Sequence, residues 1–197
     1  MNDRAQRRGE THQRIIEAAG RLFREHGIDG VGVDAIMREA GLTHGGFYAH
    51  FSSKEAMVAE VSRAMLEKSA DRWTEFSTAK VSTAADKAAA LRRIVEPYLS
   101  PEHVQSGHGC LLTTLSTEAA RRSAVRHAMD APLHDMLAAL ERCLPDARQA
   151  PVALATMVGA VTLARLADDP VLAERFLQAA AQTVLPADDP ASPEPDA

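Results

Sequence analysis

The stretch GLTHGGFYAHFSSKEAM, residues 41–57, concentrates side chains that can hydrogen-bond to nucleic acid. Only 4% of the chain is aromatic, yet three aromatic residues stand here beside two histidines. Tyr48, His50 and Lys54 carry groups suited to phosphate oxygens. The glycine pair Gly45 and Gly46 removes side chains that would hold a helix away from the floor of a groove. The stretch therefore predicts a DNA-reading surface, and the alternative is a surface turn whose glycines are incidental.

Helical spacing places this stretch inside a predicted helix-turn-helix. A first helix is predicted from an N-cap at Thr11 to Gly27, with its apolar residues on one stripe. A short helix follows and ends at Gly41. Phe47 and Phe51 lie four residues apart and are predicted to face inward on another short helix. Two short helices that cannot bury themselves alone, joined by a tight turn, describe a helix-turn-helix.

The rest of the chain also has helical spacing, and the predicted fold class is all-α. A capping box from Ser52 to Glu55 is predicted to open a long helix, and Pro132 either starts a later helix or kinks one. The predicted parts are a flexible N-terminal arm, a helix-turn-helix DNA-binding domain, a helical ligand-binding and dimerisation domain, and a disordered acidic tail. These parts cover residues 1–10, 11–56, 57–185 and 186–197, respectively.

Composition and charge limit the classes of protein that the chain can belong to. The net charge of −5 argues against a general polyanion binder. Residues 1–56 hold eight basic and eight acidic residues, which predicts only modest non-specific affinity for DNA. No apolar run approaches the roughly 20 residues that span a bilayer, and no signal peptide is evident. Two cysteines make no disulfide framework, so we expect a cytoplasmic protein without a membrane partner.

Residues 11–60 resemble the DNA-binding domain of the tetracycline-repressor (TetR) family of one-component regulators. The resemblance lies in two ungapped stretches, RIIEAAGRLFREHGIDGVGVDAI and REAGLTHGGFYAHFSSKEAMVAEV. It implies a homodimer that binds a pseudo-palindromic operator in double-stranded DNA. It also implies repression that is relieved by a small-molecule effector bound in the C-terminal domain.

The resemblance also assigns roles to individual residues of the helix-turn-helix. The positions that it implies for contacts to the DNA backbone are Thr43, Tyr48, His50 and Lys54. The positions that it implies for the base edges are His44, Gly45 and Ala49, with Ala35 near the same groove. Gly46 stands where many relatives have a threonine that meets a phosphate, so that contact is expected to be absent. Gly32 replaces the usual Ser or Thr before the second helix and should cap it more weakly.

Cys110 is the predicted sensor residue, on both chemical and family grounds. It follows glycines at a predicted helix start, where the helix dipole stabilises a thiolate, and His108 could add positive charge. The stretch GHGCLLTTLSTEAARRS resembles the Gly-Cys-Leu segment of a TetR subgroup that includes repressors sensing electrophiles and oxidants. The alternative is a small, inert, buried thiol. Cys143, at a helix end, is predicted to be structural.

The C-terminal part is predicted to dimerise through its last two helices. Thr156, Ala160 and Ala164 have the small-xxx-small spacing that lets helices approach closely, and two such helices from each subunit would form a four-helix interface. The alternative is that this pair of helices packs on its own domain. The histidines match no compact metal motif, so we predict no metal site and no cofactor. No catalytic motif is evident, which argues against an enzyme. A thiol-dependent enzyme and a helical adaptor that does not bind DNA remain the alternative classes.

Overall fold

The structure is a computed structural model that describes residues 2–79, 81–105 and 111–186, and the regular structure of these residues is entirely helical. Two short 3-10 helices, η1 (His44–Ala49) and η2 (Ala147–Gln149), occur among the α-helices. The α-helices are α1 (Asn2–His26), α2 (Val33–Glu39), α3 (Lys54–Thr78), α4 (Ala84–Tyr98), α5 (Pro101–Gln105), α6 (Leu111–Thr114), α7 (Ser116–Ala120), α8 (Ser123–Cys143), α9 (Ala150–Leu166) and α10 (Pro170–Val184). The predicted all-α fold class is confirmed.

Helix α1 begins much earlier than the sequence analysis predicted. It starts at Asn2, so residues 2–10 are helical rather than a separate arm, and Thr11 is not an N-cap. The Thr11 hydroxyl donates to the carbonyl oxygen of Arg7 one turn back, at 2.8 Å. Alanine, glutamine and arginine in this segment are good helix formers, and Gln6 donates to Glu10 across one turn at 3.2 Å.

Two glycines end the first two helices in the left-handed conformation, as predicted. Gly27 follows α1 with a φ of 73°, and Gly41 follows α2 with a φ of 69°. A residue with a β-carbon is strained at such angles, whereas glycine is not. The two glycines therefore fix the directions in which the chain leaves α1 and α2.

The core of the N-terminal domain is built from α1, α2, η1 and the start of α3. Phe47 and Phe51 are almost fully buried, as predicted, and their ring centroids lie 5.6 Å apart. Ile36 and Met37 of α2 are fully buried in the same apolar cluster. Their burial holds η1 against the domain, so that its other face is left at the surface.

Helix α3 has a different N-cap from the predicted one. Ser53, rather than Ser52, accepts a hydrogen bond from the backbone amide of Ala56 at 3.0 Å. Glu55 is consequently one position too early for a capping box, and its carboxylate pairs with Arg122 instead. Because α3 runs unbroken to Thr78, the predicted domain boundary between residues 56 and 57 lies inside a helix.

The C-terminal domain is assembled on the long face of α3. Helix α8 packs along it, while α9 and α10 pack mainly against each other. Helix α8 begins at Ser123 and continues through Pro132, so the prediction that this residue starts a helix is wrong. Helix α4 opens with a full capping box, in which Thr83 and Asp86 bind each other's backbone amides.

Among the described residues, one segment, Ala147–Leu166, is long and apolar enough by length and composition to cross a membrane. The most apolar 18 residues of this segment have a mean hydropathy of 1.3, and the segment was not expected from the sequence. It comprises η2 and α9, and α9 packs against α8 and α10. A core helix passes the same test, so this single segment is weak evidence for a membrane span.

The geometry at Gly27 predicts that Gly27→Ala destabilises the protein. A β-carbon there would lie 2.7 Å from Oε1 of Glu118, in addition to its positive φ. We expect the free energy of unfolding in urea to fall by at least about 1–2 kcal/mol, measured at fixed protein concentration. Gly9→Ala is the matched control, since a β-carbon there meets nothing within 4 Å. It should raise stability by about 0.5–1 kcal/mol, and equal effects of the two variants would contradict the prediction.

Candidate nucleic-acid interface

Helix η1 and its flanks present most of the predicted DNA-contacting residues at the surface. The predicted residues that are exposed are Thr43, His44, Gly45, Tyr48 and Ala49. Tyr48 stands out, because 70% of this large side chain is accessible. A β-carbon at Gly45 would meet nothing within 4 Å, so this position is smooth as well as open. The exposed face of η1 thus combines one tyrosine, one imidazole and otherwise small residues.

The remaining predicted residues lie at the edge of this face and are half-buried. They are Ala35, Gly46, His50 and Lys54. A β-carbon at Gly46 would touch the Met37 side chain at 3.5 Å, an ordinary contact that leaves the domain core undisturbed. The ammonium group of Lys54 donates to the carbonyl oxygen of Ile28 at 3.2 Å. An ammonium carries three donors, so this bond leaves others for a phosphate.

Two residues of α1 support η1 and were not identified by sequence reasoning. The guanidinium of Arg8 donates to the carbonyl oxygen of Ala49 at 2.6 Å. The ring of His12 stacks on Phe51 at 4.6 Å between centroids and lies 5.7 Å from the ring of His50. Nothing in the local sequence pattern indicates these contacts, because they join positions about 40 residues apart in the chain.

The surroundings of His50 disfavour its protonation. Burial lowers the pKa of His50, and the positive charges of His12 and Arg8 lower it further. Its Nδ1 atom is enclosed and has no hydrogen-bond partner among the described residues. A contact from His50 to a phosphate would therefore be made through its other nitrogen, Nε2.

The acidic residues of the N-terminal domain are largely paired, which bears on how a neutral domain can approach DNA. Asp34 pairs with His44, and Glu39 pairs with Arg21 at 3.0 Å. Asp29 and Glu55 both pair with one guanidinium, that of Arg122 in the C-terminal domain. The pairings with Arg21 and Arg122 offset negative charges that would otherwise repel phosphates.

Two residues of the C-terminal domain form hydrogen bonds with the turn between α1 and α2 and with the start of α3. Glu118 of α7 accepts a hydrogen bond from the backbone amide of Ile28 at 2.6 Å. Arg122, just before α8, donates to Glu55 at 2.6 Å and also to Asp29. Glu118 and Arg122 thus form an interdomain clamp. Sequence reasoning missed it because its partners lie 67 to 93 residues apart.

The predicted sensor residues Cys110 and His108 lie outside the described residues, but the helices on either side of them are held by one arginine. Arg165 of α9 donates to the backbone of α5, to the carbonyl oxygen of Val104 at 3.2 Å and to that of His103 at 3.3 Å. The same guanidinium donates to the hydroxyl of Thr113 in α6. Both sides of the segment that carries Cys110 are therefore anchored to α9.

A cavity of about 420 Å³ lies where the start of α4 meets the end of α8. This volume is within the range of small-molecule pockets. Leu91, Pro145 and Cys143 contribute to its walls, with Lys87 among the polar groups. Burial raises the pKa of the Cys143 thiol, despite the opposing positive charges of Arg142 and Lys87. Such a thiol is a poor nucleophile at neutral pH, in keeping with the predicted structural role of Cys143.

The surface of α9 and α10 differs from the predicted dimer stripe. Ala160 and Ala164 are almost fully buried within their own chain, so they serve packing inside the protomer. A different set of residues is apolar and exposed on these helices, namely Val152, Leu163, Leu166, Val171 and Leu172. On α9, Gly159 lies between these exposed positions at helical spacing, and a β-carbon there would meet nothing within 4 Å. The small-residue spacing correctly predicts close packing, but Ala160 and Ala164 pack within their own protomer and not against a second one.

In the part of the chain that the structure describes, no group of three or more His, Cys, Asp or Glu residues could hold a metal ion. Histidine is a common metal ligand, but His103, His127 and His134 do not belong to any such group among the described residues. The exposed face of η1 and its flanks can form hydrogen bonds and charge pairs with a polyanion.

Comparison with known proteins identifies the domain that carries this surface. Residues 15–61 match the family model of the bacterial regulatory proteins of the tetR family. This match covers the part of the chain that carries the candidate interface. Among curated relatives, the repressor KstR2 of Rhodococcus jostii is 31% identical over 97 residues, which are 49% of this chain and 45% of that repressor. The repressor DhaR of a Mycobacterium species is 28% identical over 56% of this chain and 53% of its own length.

Solved structures extend the likeness in fold over most of the chain. The reduced form of Escherichia coli NemR superposes with a TM-score of 0.70 at 21% identity, covering 87% of this chain and 95% of NemR. The regulator FadR of Bacillus subtilis, solved with stearoyl-CoA, superposes with a TM-score of 0.66 at 19% identity, covering 88% of this chain and 97% of FadR. The fold shared with these two structures therefore extends into the C-terminal helices, whereas the chain spans only about half of the length of the curated relatives.

The interdomain clamp predicts how the α1–α2 turn responds to Glu118→Ala. Removing the carboxylate leaves the buried amide of Ile28 without its acceptor, and we expect the free energy of opening at this amide to fall by about 1–3 kcal/mol. Native-state hydrogen exchange at Ile28 measures this change. Glu141→Ala removes an exposed glutamate of α8 and should leave exchange at Ile28 unchanged. Unaltered exchange in both variants would show that the bond does not hold the turn.

Proposed function

We propose that this protein is a sequence-specific, DNA-binding transcriptional repressor that acts in the cytoplasm as a homodimer. The observation that carries the proposal is the exposed face of η1, mounted on a TetR-family domain by the buried Phe47 and Phe51. Its small residues allow a close approach to a groove, and its imidazole and phenol groups can hydrogen-bond to DNA.

The proposed roles on DNA follow the position of each residue on this face. Contacts to base edges are assigned to His44, Gly45 and Ala49, with the half-buried Ala35 beside them. Contacts to the sugar-phosphate backbone are assigned to Thr43, Tyr48, His50 and Lys54. With no side chain at Gly45 and a methyl group at Ala49, His44 supplies the hydrogen-bonding side chain for direct readout.

A second copy of the chain is the proposed partner of the exposed apolar face on α9 and α10. Val152, Leu163 and Leu166 lie on one side of α9, and burial of such side chains drives association. Two reading helices in one symmetric dimer would bind two half-sites of a pseudo-palindromic operator. This proposal assigns the apolar surface of α9 to dimerisation rather than to a membrane.

Release from DNA is proposed to begin at Cys110 and to pass through the interdomain clamp. Cys110 immediately precedes α6, whose first residue, Leu111, is buried, and Glu118 follows seven residues further on. An electrophile or oxidant that modifies Cys110 would disturb α6 and hence the clamp on Ile28. A reversible ligand in the cavity beside Cys143 is the second candidate, because that cavity has the size of a ligand pocket.

The two alternative classes make different predictions. A thiol-dependent enzyme would turn over an ester or another acyl substrate at Cys110. A helical adaptor would keep its activity when His44 and Lys54 are replaced by alanine. Fluorescence anisotropy of labelled DNA from just upstream of the gene, titrated at several salt concentrations, tests the repressor directly. Saturable binding that weakens with salt supports it, and a lack of preference for any sequence across a randomised DNA pool would reject it.

The phosphate role proposed for Lys54 predicts a uniform loss on substitution. Lys54→Ala should weaken binding to all sequences similarly and lower the salt slope by about one ion per subunit. The control is Lys68→Ala, an exposed lysine further along α3 that should leave the slope unchanged. Melting curves of both variants check the fold, because Lys54 also bonds to Ile28. A loss confined to one operator sequence would mean that Lys54 does not act through phosphate.

The sensor role proposed for Cys110 predicts a loss of release without a loss of binding. Cys110→Ser should bind the operator like the unmodified protein but no longer dissociate when treated with N-ethylmaleimide or a quinone. Cys143→Ser is the matched control and should still be released, since the Cys143 thiol is buried and its pKa is raised. Unchanged release of Cys110→Ser would remove the thiol from the mechanism and leave the cavity ligand.

A further inference from the structure

Asp34 and His44 form an exposed pair on the face that is proposed to meet DNA. Oδ1 of Asp34, in the first turn of α2, hydrogen-bonds to Nδ1 of His44 at the start of η1. Their side chains remain 71% and 55% accessible, so the pair is not a buried structural bridge. A carboxylate at the centre of a DNA-binding face repels phosphates, and its presence there calls for a specific role.

The carboxylate fixes which nitrogen of His44 faces outward. A carboxylate only accepts hydrogen bonds, so Nδ1 of His44 must carry a proton to make this contact. Nε2 is then the ring nitrogen left for another partner. Tyr48, which meets the same ring edge-on at a centroid distance of 6.4 Å, is the second side chain against it. Asp34 thus holds the imidazole in one orientation, as second partners of functional histidines commonly do.

The charge of the pair decides whether Nε2 donates or accepts. With a neutral imidazole the pair carries a net charge of −1, whereas with an imidazolium it is neutral overall. A proton on Nε2 would remove the net negative charge of the pair and with it a repulsion from DNA phosphates. His44 then presents an N–H donor to the major groove. Guanine is the base that offers two acceptors there, N7 and O6.

We propose that Asp34 is a specificity-determining positioning residue, which holds the His44 imidazolium so that Nε2–H donates to a guanine in each operator half-site. This inference rests on the proposed DNA-binding function and adds a residue that the family resemblance does not assign. Asp34 itself does not touch the base in this arrangement. It lowers the general affinity for DNA and raises the discrimination between bases.

These two effects give Asp34→Asn a distinctive signature. Loss of the negative charge should tighten binding to random DNA, while loss of the ionic partner should weaken the preference for guanine at one position per half-site. We expect that preference to fall from about tenfold to about threefold or less. Glu39→Gln is the matched control, because it removes an exposed carboxylate of the same helix that pairs with Arg21 instead. It should tighten random binding similarly and leave base preference unchanged.

The experiment measures anisotropy with operator variants that carry each of the four bases at every position. His44→Ala should lose the same guanine preference, and adding Asp34→Asn to it should change the preference no further. Replacing the guanine by 7-deazaguanine, which lacks the N7 acceptor, should weaken the unmodified protein more than Asp34→Asn. Melting curves show whether Asp34→Asn has instead weakened α2, in whose first turn Asp34 lies.

The outcomes separate this inference from the function on which it rests. Sequence-specific binding by the unmodified protein, with the same base preferences in Asp34→Asn as in Glu39→Gln, overturns the role of Asp34 and leaves the repressor intact. A preference for cytosine or adenine at the His44 position also overturns it, since an accepting Nε2 would then be reading a base amino group. If the unmodified protein binds no sequence selectively, the proposed function fails and the inference fails with it.

Discussion

The turn between α1 and α2 is the point at which the two domains constrain each other. Glu118 accepts from the Ile28 amide, and Arg122 draws Asp29 and Glu55 together. Removing the arginine alone would leave two carboxylates facing each other at the edge of the proposed DNA-binding face. The C-terminal domain therefore supplies a charge that the N-terminal domain needs if it is to lie against phosphates. The interdomain contacts at Asp29 and Glu55 consequently lie beside Lys54, which is proposed to bind DNA and is itself bonded to Ile28.

Helix α3 extends from this junction into the C-terminal domain. It runs for 25 residues, about 37 Å, from Lys54 at the proposed DNA-binding face to Thr78 at the far end. Helix α8 packs along it and begins immediately after Arg122. A shift of α8 against α3 would move the clamp on the α1–α2 turn while Lys54 stays fixed to α3. In the proposed release mechanism, a rearrangement in the C-terminal domain would therefore reach the proposed DNA-binding face through this turn.

Local sequence patterns predicted the elements well and the contacts between them poorly. The ends of α1 and α2 were predictable because a positive φ selects glycine at positions 27 and 41. The inward direction of Phe47 and Phe51 followed from helical spacing. The helical start at Asn2 was missed because its support from Arg8 reaches η1 across 41 residues. The small residues Ala160 and Ala164 were recognised as a packing stripe, but spacing alone does not say which helix covers them.

The same distinction between local and distant information applies to the proposed interface. The spacing of His44, Tyr48 and Lys54 indicated their common face, yet the partner of His44 lies ten residues away on another helix. The eight acidic and eight basic residues of positions 1–56 predicted only modest non-specific affinity for DNA. The structure adds how these charges are arranged, because Asp29 and Glu55 are paired with the guanidinium of Arg122 and Asp34 is hydrogen-bonded to the imidazole of His44. A neutral domain arranged in this way has weak general attraction to DNA, and its selectivity must then come from the few groups that meet the bases.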